Sequence, residues 1–166
     1  MTGALADVKQ QGMQRVASEL QATLDQLQPL LRQMHLLSSN AVSSAARAGS
    51  DGDAFRVLTQ AIQQLGQDIN HDVQQVQHVL QQLNQNQQPS KFKSLVRQLE
   101  NALAELPIAI RKGEYLAICC SVEAAHTEKH ADSFDSVASM LKQLIASLRL
   151  QVSQQQNTLA KLQELI

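Results

Sequence analysis

The sequence holds no tryptophan, one tyrosine and three phenylalanines among its 166 residues. An all-β sandwich or barrel draws on aromatic and β-branched side chains and needs turn residues every few positions. Three prolines and six glycines are too few for that. No stretch approaches the ~20 consecutive apolar residues of a membrane span. Cysteine is limited to the adjacent pair Cys119 and Cys120. Neighbouring cysteines cannot staple distant parts of a chain, and there is no CxxC motif or second cluster. They read as two small residues on a helix in a reduced compartment. Charge of one sign is also missing, since 14 basic and 15 acidic residues leave a formal net charge of −1. Without a basic stripe there is no electrostatic footprint for nucleic acid. The opening MTGALADVKQQ lacks a basic region followed by an apolar run. No secretory signal is expected, and the expected location is cytoplasmic.

What is abundant is aliphatic side chains at helical spacing. Hydrophobic residues make up 43% of the chain. They recur in alternating steps of three and four. The first seam runs through Met13, Val16, Leu20, Leu24, Leu27 and Leu31 to Met34 and Leu37. The second has Phe55, Leu58, Ile62, Leu65, Ile69, Val76 and Leu83. The third has Phe92, Leu95, Leu99, Leu103, Leu106, Ile110 and Leu116. The fourth has Phe134, Val137, Leu141, Leu144, Leu148, Leu159, Leu162 and Ile166. Such a period of 3.5 residues is the seam of a left-handed helical bundle. The positions between are mostly Gln, Ser, Lys, Asp and Glu, a solvated face.

The second half repeats the first at an offset of 79 positions. Met13, Val16, Leu20 and Leu24 fall on Phe92, Leu95, Leu99 and Leu103. Ala45 and Ala46 fall on Ala124 and Ala125, Asp53 on Asp132 and Phe55 on Phe134. The whole set aligns without a gap, which reads as an internal duplication, with repeat 1 at about 6–86 and repeat 2 at about 90–166. Between them NQNQQPSKF is polar, Pro89 stops a helix in the residue before it, and Ser90 is a candidate N-cap. The expected fold is therefore all-α. It is an antiparallel, coiled-coil-like four-helix bundle made of two duplicated helical hairpins with pseudo-two-fold symmetry, one domain over 1–166. The expected helices run from Ala6 to Ala48, Asp53 to Gln85, Lys91 to Thr127 and Asp132 to Leu165. Short connections force antiparallel neighbours, and each hairpin alone would expose its stripe. Pro29 and Pro107 lie one position from equivalence, inside the first and third helices. The seam continues on both sides of each, so a shared bend is expected rather than a break.

The hairpin turn has its own chemistry. In SAARAGSDGDAF, Ser44 to Phe55, small residues let two helices approach closely. Gly49 and Gly52 can adopt positive φ, Asp53 is placed to cap the next helix, and Phe55 plugs the end. In the copy EAAHTEKHADSF, Glu123 to Phe134, Thr127, Glu128, Lys129 and His130 replace the glycines. That turn must be built differently, or its helix must run further.

The stretch LLSSNAVSSAARAGSDGDAFRVLTQAIQQL, Leu36 to Leu65, resembles the cytoplasmic signalling tip of bacterial methyl-accepting chemotaxis receptors. Asn40, Ala41, the run Ala45-Ala46-Arg47-Ala48-Gly49, Gly52, Phe55, Val57 and Leu65 match that tip in register. The second half keeps Val122-Glu123-Ala124-Ala125 and Phe134. In that family two hairpins from two subunits form the bundle, so the resemblance implies a receptor-tip dimer fused into one chain. It implies a non-enzymatic signalling module whose turn end meets a CheW-type coupling protein or a CheA-type kinase. The partner-binding residues carried over are Asn40, Ser44, Arg47, Glu123 and His126. Some positions depart from the pattern. Ser43 and Ser44 stand for a valine and a glutamate, Asp53 for an arginine, and Arg32 for an apolar contact. Cys119 and His126 occupy the positions equivalent to Asn40 and Arg47. The two faces therefore differ, and a one-sided contact is expected.

Other chemistry is thinly supported. No catalytic triad order, phosphate loop or metalloprotease motif is present, so neither enzyme activity nor a cofactor is expected. His126 and His130 are spaced like helical zinc ligands, but they straddle the turn without an evident third ligand, and no metal is expected. His71 and His78 share one helix face that reads as solvated. A histidine phosphotransfer bundle using His71 or His35 would leave the duplicated turn without a role. A structural or regulatory bundle that binds an unrelated protein is the main alternative.

Overall fold

A computed structural model describes residues 2–86 and 88–165 of the chain. Five α-helices follow in order: α1 (Thr2–Asp25), α2 (Leu27–Ala48), α3 (Asp53–Gln85), α4 (Phe92–His126) and α5 (Ala131–Glu164). Short 3₁₀ turns occupy Gly49–Gly52 and Pro89–Lys91. No strand occurs among the described residues. The expected all-α class therefore holds, and most helix ends fall within a residue or two of expectation. Ile166, expected as the last seam residue, lies outside the described residues.

The seams form the core. Leu20, Leu24, Phe55, Ile62, Leu99, Phe134 and Leu141 are all fully buried. At about 1.5–3 kcal/mol for each large aliphatic side chain, this burial outweighs the middling helix propensity of the glutamine- and serine-rich outer faces. α4 packs against α3 and α5, α2 against the same two helices, and α1 also against α5 and α3.

Two local expectations need correction. The first helix is not continuous from Ala6 to Ala48, because α1 ends at Asp25 and α2 begins at Leu27. Pro29 has no N–H to donate to the carbonyl four residues back, and that carbonyl belongs to Asp25. Gln26 stays in the right-handed region (φ −69°, ψ −17°), so the interruption is one residue wide. α4 by contrast continues through Pro107. The second correction concerns Ser90, which lies within the Pro89–Lys91 turn. Lys91 holds the cap position of α4, with no side-chain cap bond. Proline is preorganised for a first helical turn, so the chain starts turning before the serine can cap it. The joint is closed instead by Asn86. Its side-chain amide donates to the Gln88 carbonyl (2.9 Å) and its side-chain carbonyl accepts from the Gln88 N–H (3.1 Å).

The halves also share a size pattern. In the first, Gly66 of α3 faces Met34 of α2, whose Cγ would lie 3.1 Å from an added Cβ. In the second, Gly113 of α4 faces Ile145 of α5, whose Cγ1 would lie 2.8 Å from one. Positions 34 and 113 are 79 apart, as are 66 and 145. Each half pairs one glycine with one large side chain, but on exchanged helices.

Candidate functional site

The turn end of the helices is built from small residues around two rings. Ala41 and Ala45 of α2, and Cys120 and Ala124 of α4, are buried there. They leave room for Phe55 and Phe134, the equivalent first-turn residues of α3 and α5. Both rings are fully buried, and they stack with centroids 3.9 Å apart and planes 4° apart. Aromatic pairs usually settle about 4.5–7 Å apart, offset or edge-on. A near-parallel stack this close is imposed by the surrounding packing rather than chosen by the rings.

The two turns differ as expected. Gly49 is the only described residue with positive φ (59°). Gly52 is needed for another reason than expected, since its φ is −95°. A Cβ there would lie 2.6 Å from the Ala45 carbonyl oxygen and 2.9 Å from the Ala48 Cβ, so the role of Gly52 is close approach. Asp53 does not cap α3. It is the first helical residue, already right-handed, with Gly52 in the cap position and no side-chain cap bond. Its carboxylate pairs loosely with Arg56 (3.6 Å) and favours the positive end of the helix dipole. The second turn uses no glycine. Its helix stops at His126, the counterpart of Arg47, and Thr127 turns extended (φ −108°, ψ 114°).

Asn40 and Arg47 are exposed and Ser44 half-buried on one face of the last turns of α2; Glu123 is half-buried and His126 exposed at the end of α4. All five lie at the turn end, but on two helices that each pack against α3 and α5, so they form two separate clusters. Arg47 and His126 act alike. The Arg47 Nε donates to the Ser43 carbonyl (3.4 Å), and the His126 Nδ1 pairs with the Val122 carbonyl (2.7 Å). A carbonyl can only accept, so His126 carries its proton on Nδ1. Both side chains bond a carbonyl four residues back at a helix C-terminus, where the Arg47 cation also favours the helix dipole.

The sequence reading missed an exposed apolar face. Ile108, Tyr115, Ile118 and Val122 on α4, and Val57 on α3, are exposed. The signal was present as a second apolar run on α4, at steps of seven, three and four beside the core seam, masked because α4 already has a complete inward stripe. Ile108 and Tyr115 border a groove of about 560 Å³ between α3 and α4, with Ala61, Leu65, Asp68 and Arg111. A second groove of about 360 Å³ lies between α2 and α5, bordered by Leu36, Asn40, Met140 and Ser147 among others. Seven of its lining positions have a counterpart 79 residues away in the first groove, including Leu36 with Tyr115 and Ser147 with Asp68.

Titration sets two groups apart in this region. A hydrogen bond with the Cys119 thiol, four residues on, raises the Tyr115 phenol above its usual value. Burial, and to a lesser degree Cys119, pushes the Cys120 thiol up to about 11, so it stays protonated and unreactive at neutral pH. No three His, Cys, Asp or Glu side chains converge to hold a metal ion among the described residues. No helix is long and apolar enough to cross a membrane among the described residues. Compared with known protein families, curated proteins and solved structures, the chain gives no match in any of the three.

Proposed function

We propose that the chain is a non-enzymatic, chemotaxis-receptor-like signalling module that binds a CheW-type coupling protein or a CheA-type kinase through its turn end. On this reading it is a cytoplasmic four-helix bundle in which two duplicated hairpins stand in for the two subunits of a receptor tip. The observation that carries the proposal is the Phe55–Phe134 stack. Equivalent residues of a symmetric pair meet face to face only near their two-fold axis. Two phenylalanines 79 positions apart, stacked almost parallel among matched alanines, are what a fused pseudo-dimer would place there. The corresponding grooves and the exchanged Gly–large pairs support the same pseudo-symmetry. The partner would meet Asn40, Ser44 and Arg47 on one side, or Glu123 and His126 on the other. Arg47 is the residue whose charge is most available, since its bond to the Ser43 carbonyl is long and exposed.

The test is capture of purified coupling protein and kinase by the full chain, repeated with Arg47→Glu and with His126→Glu. Binding that one of these substitutions abolishes supports the reading, and absence of binding to both partners refutes it. A second reading is a regulatory bundle for an unrelated protein. It is favoured by Ile108, which is exposed on α4 at the position equivalent to Pro29, outside the receptor-like stretch.

A further inference from the structure

The duplication supplies an internal control for surface chemistry. The α3–α4 groove and the α2–α5 groove occupy corresponding positions, yet their borders have diverged. Where the first presents Tyr115, Ile118 and Val122 on α4, the second presents Leu36, Ser39 and Ser43 on α2. Val57 on α3 corresponds to Ser136 on α5. Tyr115, Ile118 and Val57 are 68%, 62% and 65% exposed. The α2–α5 groove also exposes Leu36 and Met140, but its borders at Ser39, Ser43 and Ser136 are polar, so the α3–α4 side carries the larger apolar patch. We propose that the α3–α4 groove is the interface of a two-fold dimer of this chain, the two copies lying side by side with their turn ends at the same end.

Charge chooses both the occupant and its direction. The groove has an acidic edge on α3 at Asp68 and a basic edge on α4 at Arg111 and Lys112. Neither Arg111 nor Lys112 has an ion-pair partner among the described residues. Leu65 lies level with Gly113, since a Cβ on that glycine would be 3.1 Å from the Leu65 Cδ2. α3 and α4 run antiparallel, so Asp68 lies within one residue step of the level of Arg111, and Val57 within one step of Val122. A two-fold axis parallel to the helices sets α3 of each copy against α4 of the other at the same height. Asp68 then meets Arg111 of the second copy twice over, Val57 meets Val122, and Ala61 meets Ile118. An axis across the helices would instead set acidic edge against acidic edge and basic against basic. A two-fold pairing uses the same groove on both copies, so the association closes at two copies and does not extend into a filament. The dimer does not depend on which protein binds the turn end.

The experiment is analytical ultracentrifugation of the full chain with four substitutions, each checked for unchanged helix content by circular dichroism. The wild-type chain is expected to sediment as a concentration-dependent dimer. Tyr115→Asp is expected to weaken it at least about 10-fold, as loss of an aromatic anchor does. Leu36→Asp, in the corresponding groove, is expected to leave it unchanged. Asp68→Arg and Arg111→Asp should each weaken self-association, and an equimolar mixture of the two should form a heterodimer tighter than either variant's own dimer. The proposal is overturned if the wild-type chain remains a monomer up to about 1 mM. It is equally overturned if Leu36→Asp weakens the dimer as much as Tyr115→Asp, or if the charge-reversed mixture associates no better than its components.

Discussion

Replacing Gln155 by valine should stabilise the chain. Gln155 lies on α5 and is fully buried. Its Nε2 donates to the Thr23 carbonyl across the interface with α1, at 3.5 Å, which is the outer limit of a useful bond. Its Oε1 is buried without a partner. The position 79 residues earlier on α3 is Val76, also fully buried, so the chain already carries an apolar residue at the matching position of its first half. An unsatisfied buried carbonyl costs about 1–3 kcal/mol, and a hydrogen bond this long returns at most about 0.5 kcal/mol. A β-branched residue in a helix gives back a few tenths of a kcal/mol. The net expectation is a gain of ~1–2 kcal/mol. For a chain of this size that raises Tm by about 2–8 °C. Thermal and urea unfolding followed by circular dichroism measure it. The reverse exchange, Val76→Gln, should destabilise by ~1–3 kcal/mol, because it buries an amide where no partner waits. A fall in Tm for Gln155→Val, or a neutral Val76→Gln, would refute the view that this amide is a poorly satisfied intruder in the core.

Phe55→Ala should destabilise by about 3–5 kcal/mol. The double variant with Phe134→Ala should lose less than the sum of the two, because the second ring has then already lost its stacking partner; additivity in urea melts would count against the stack. Gly49→Ala is expected to destabilise by about 1 kcal/mol or more through its positive φ alone, because nothing lies within 4 Å of the added Cβ. An unchanged Tm would contradict the strain. Asp72→Asn should raise Tm at pH 7. Burial first, then Glu105, hold the Asp72 carboxyl above its ordinary 3.8, so folding favours the protonated form. That contribution is fully present below the unfolded value and is lost as pH rises through the folded one. The advantage of asparagine should therefore be present at neutral pH, small at about 0.5 kcal/mol or less because the group is largely solvated, and gone below pH 3.8. A difference that grows on acidification would reverse the sign.

The all-helical class, the seams and the places of both turns were legible because aliphatic spacing, and its interruption at Gly49–Gly52 and between His126 and Ala131, are local signals. What was not legible depends on which of two local rules wins. Pro29 and Pro107 looked alike in sequence, yet only the first interrupts its helix. Asp53 and Ser90 are good cap residues, but in each case a preceding 3₁₀ turn delivers the chain already helical, so the cap position falls on Gly52 or Lys91. All five partner-binding candidates fall at the turn end of the helices. Their division between two helices was legible from the two repeats, whereas the packing of α2 and α4 each against both α3 and α5 is set by tertiary contacts. The exposed α4 stripe went unread because hydrophobic spacing alone does not say which of two stripes on a helix faces inward.

The exchanged Gly–large pairs give the last prediction, because they separate a packed duplication from a chance resemblance between two heptad helices. Alanine is favoured over glycine within a helix by about 1 kcal/mol. At Gly66 the added Cβ meets only the Met34 Cγ at 3.1 Å, on an unbranched side chain that can move. Gly66→Ala should therefore be neutral or stabilising by up to ~1 kcal/mol. At Gly113 the Cβ collides with the Ile145 Cδ1, lies 2.8 Å from its Cγ1 and 3.1 Å from the Leu65 Cδ2. Ile145 is β-branched and buried, so it has few rotamers to escape into. Overpacking of about 1–3 kcal/mol then exceeds the propensity gain, and Gly113→Ala should destabilise by ~1 kcal/mol. Shortening Ile145 to valine removes the colliding methyl. The double variant Gly113→Ala/Ile145→Val should therefore be more stable than the two single changes predict by at least about 0.5 kcal/mol. Equal effects of Gly66→Ala and Gly113→Ala in urea melts, or strict additivity with Ile145→Val, would show that glycine at 113 answers to no neighbour. The two halves would then owe their matching layers to nothing more specific than a shared heptad.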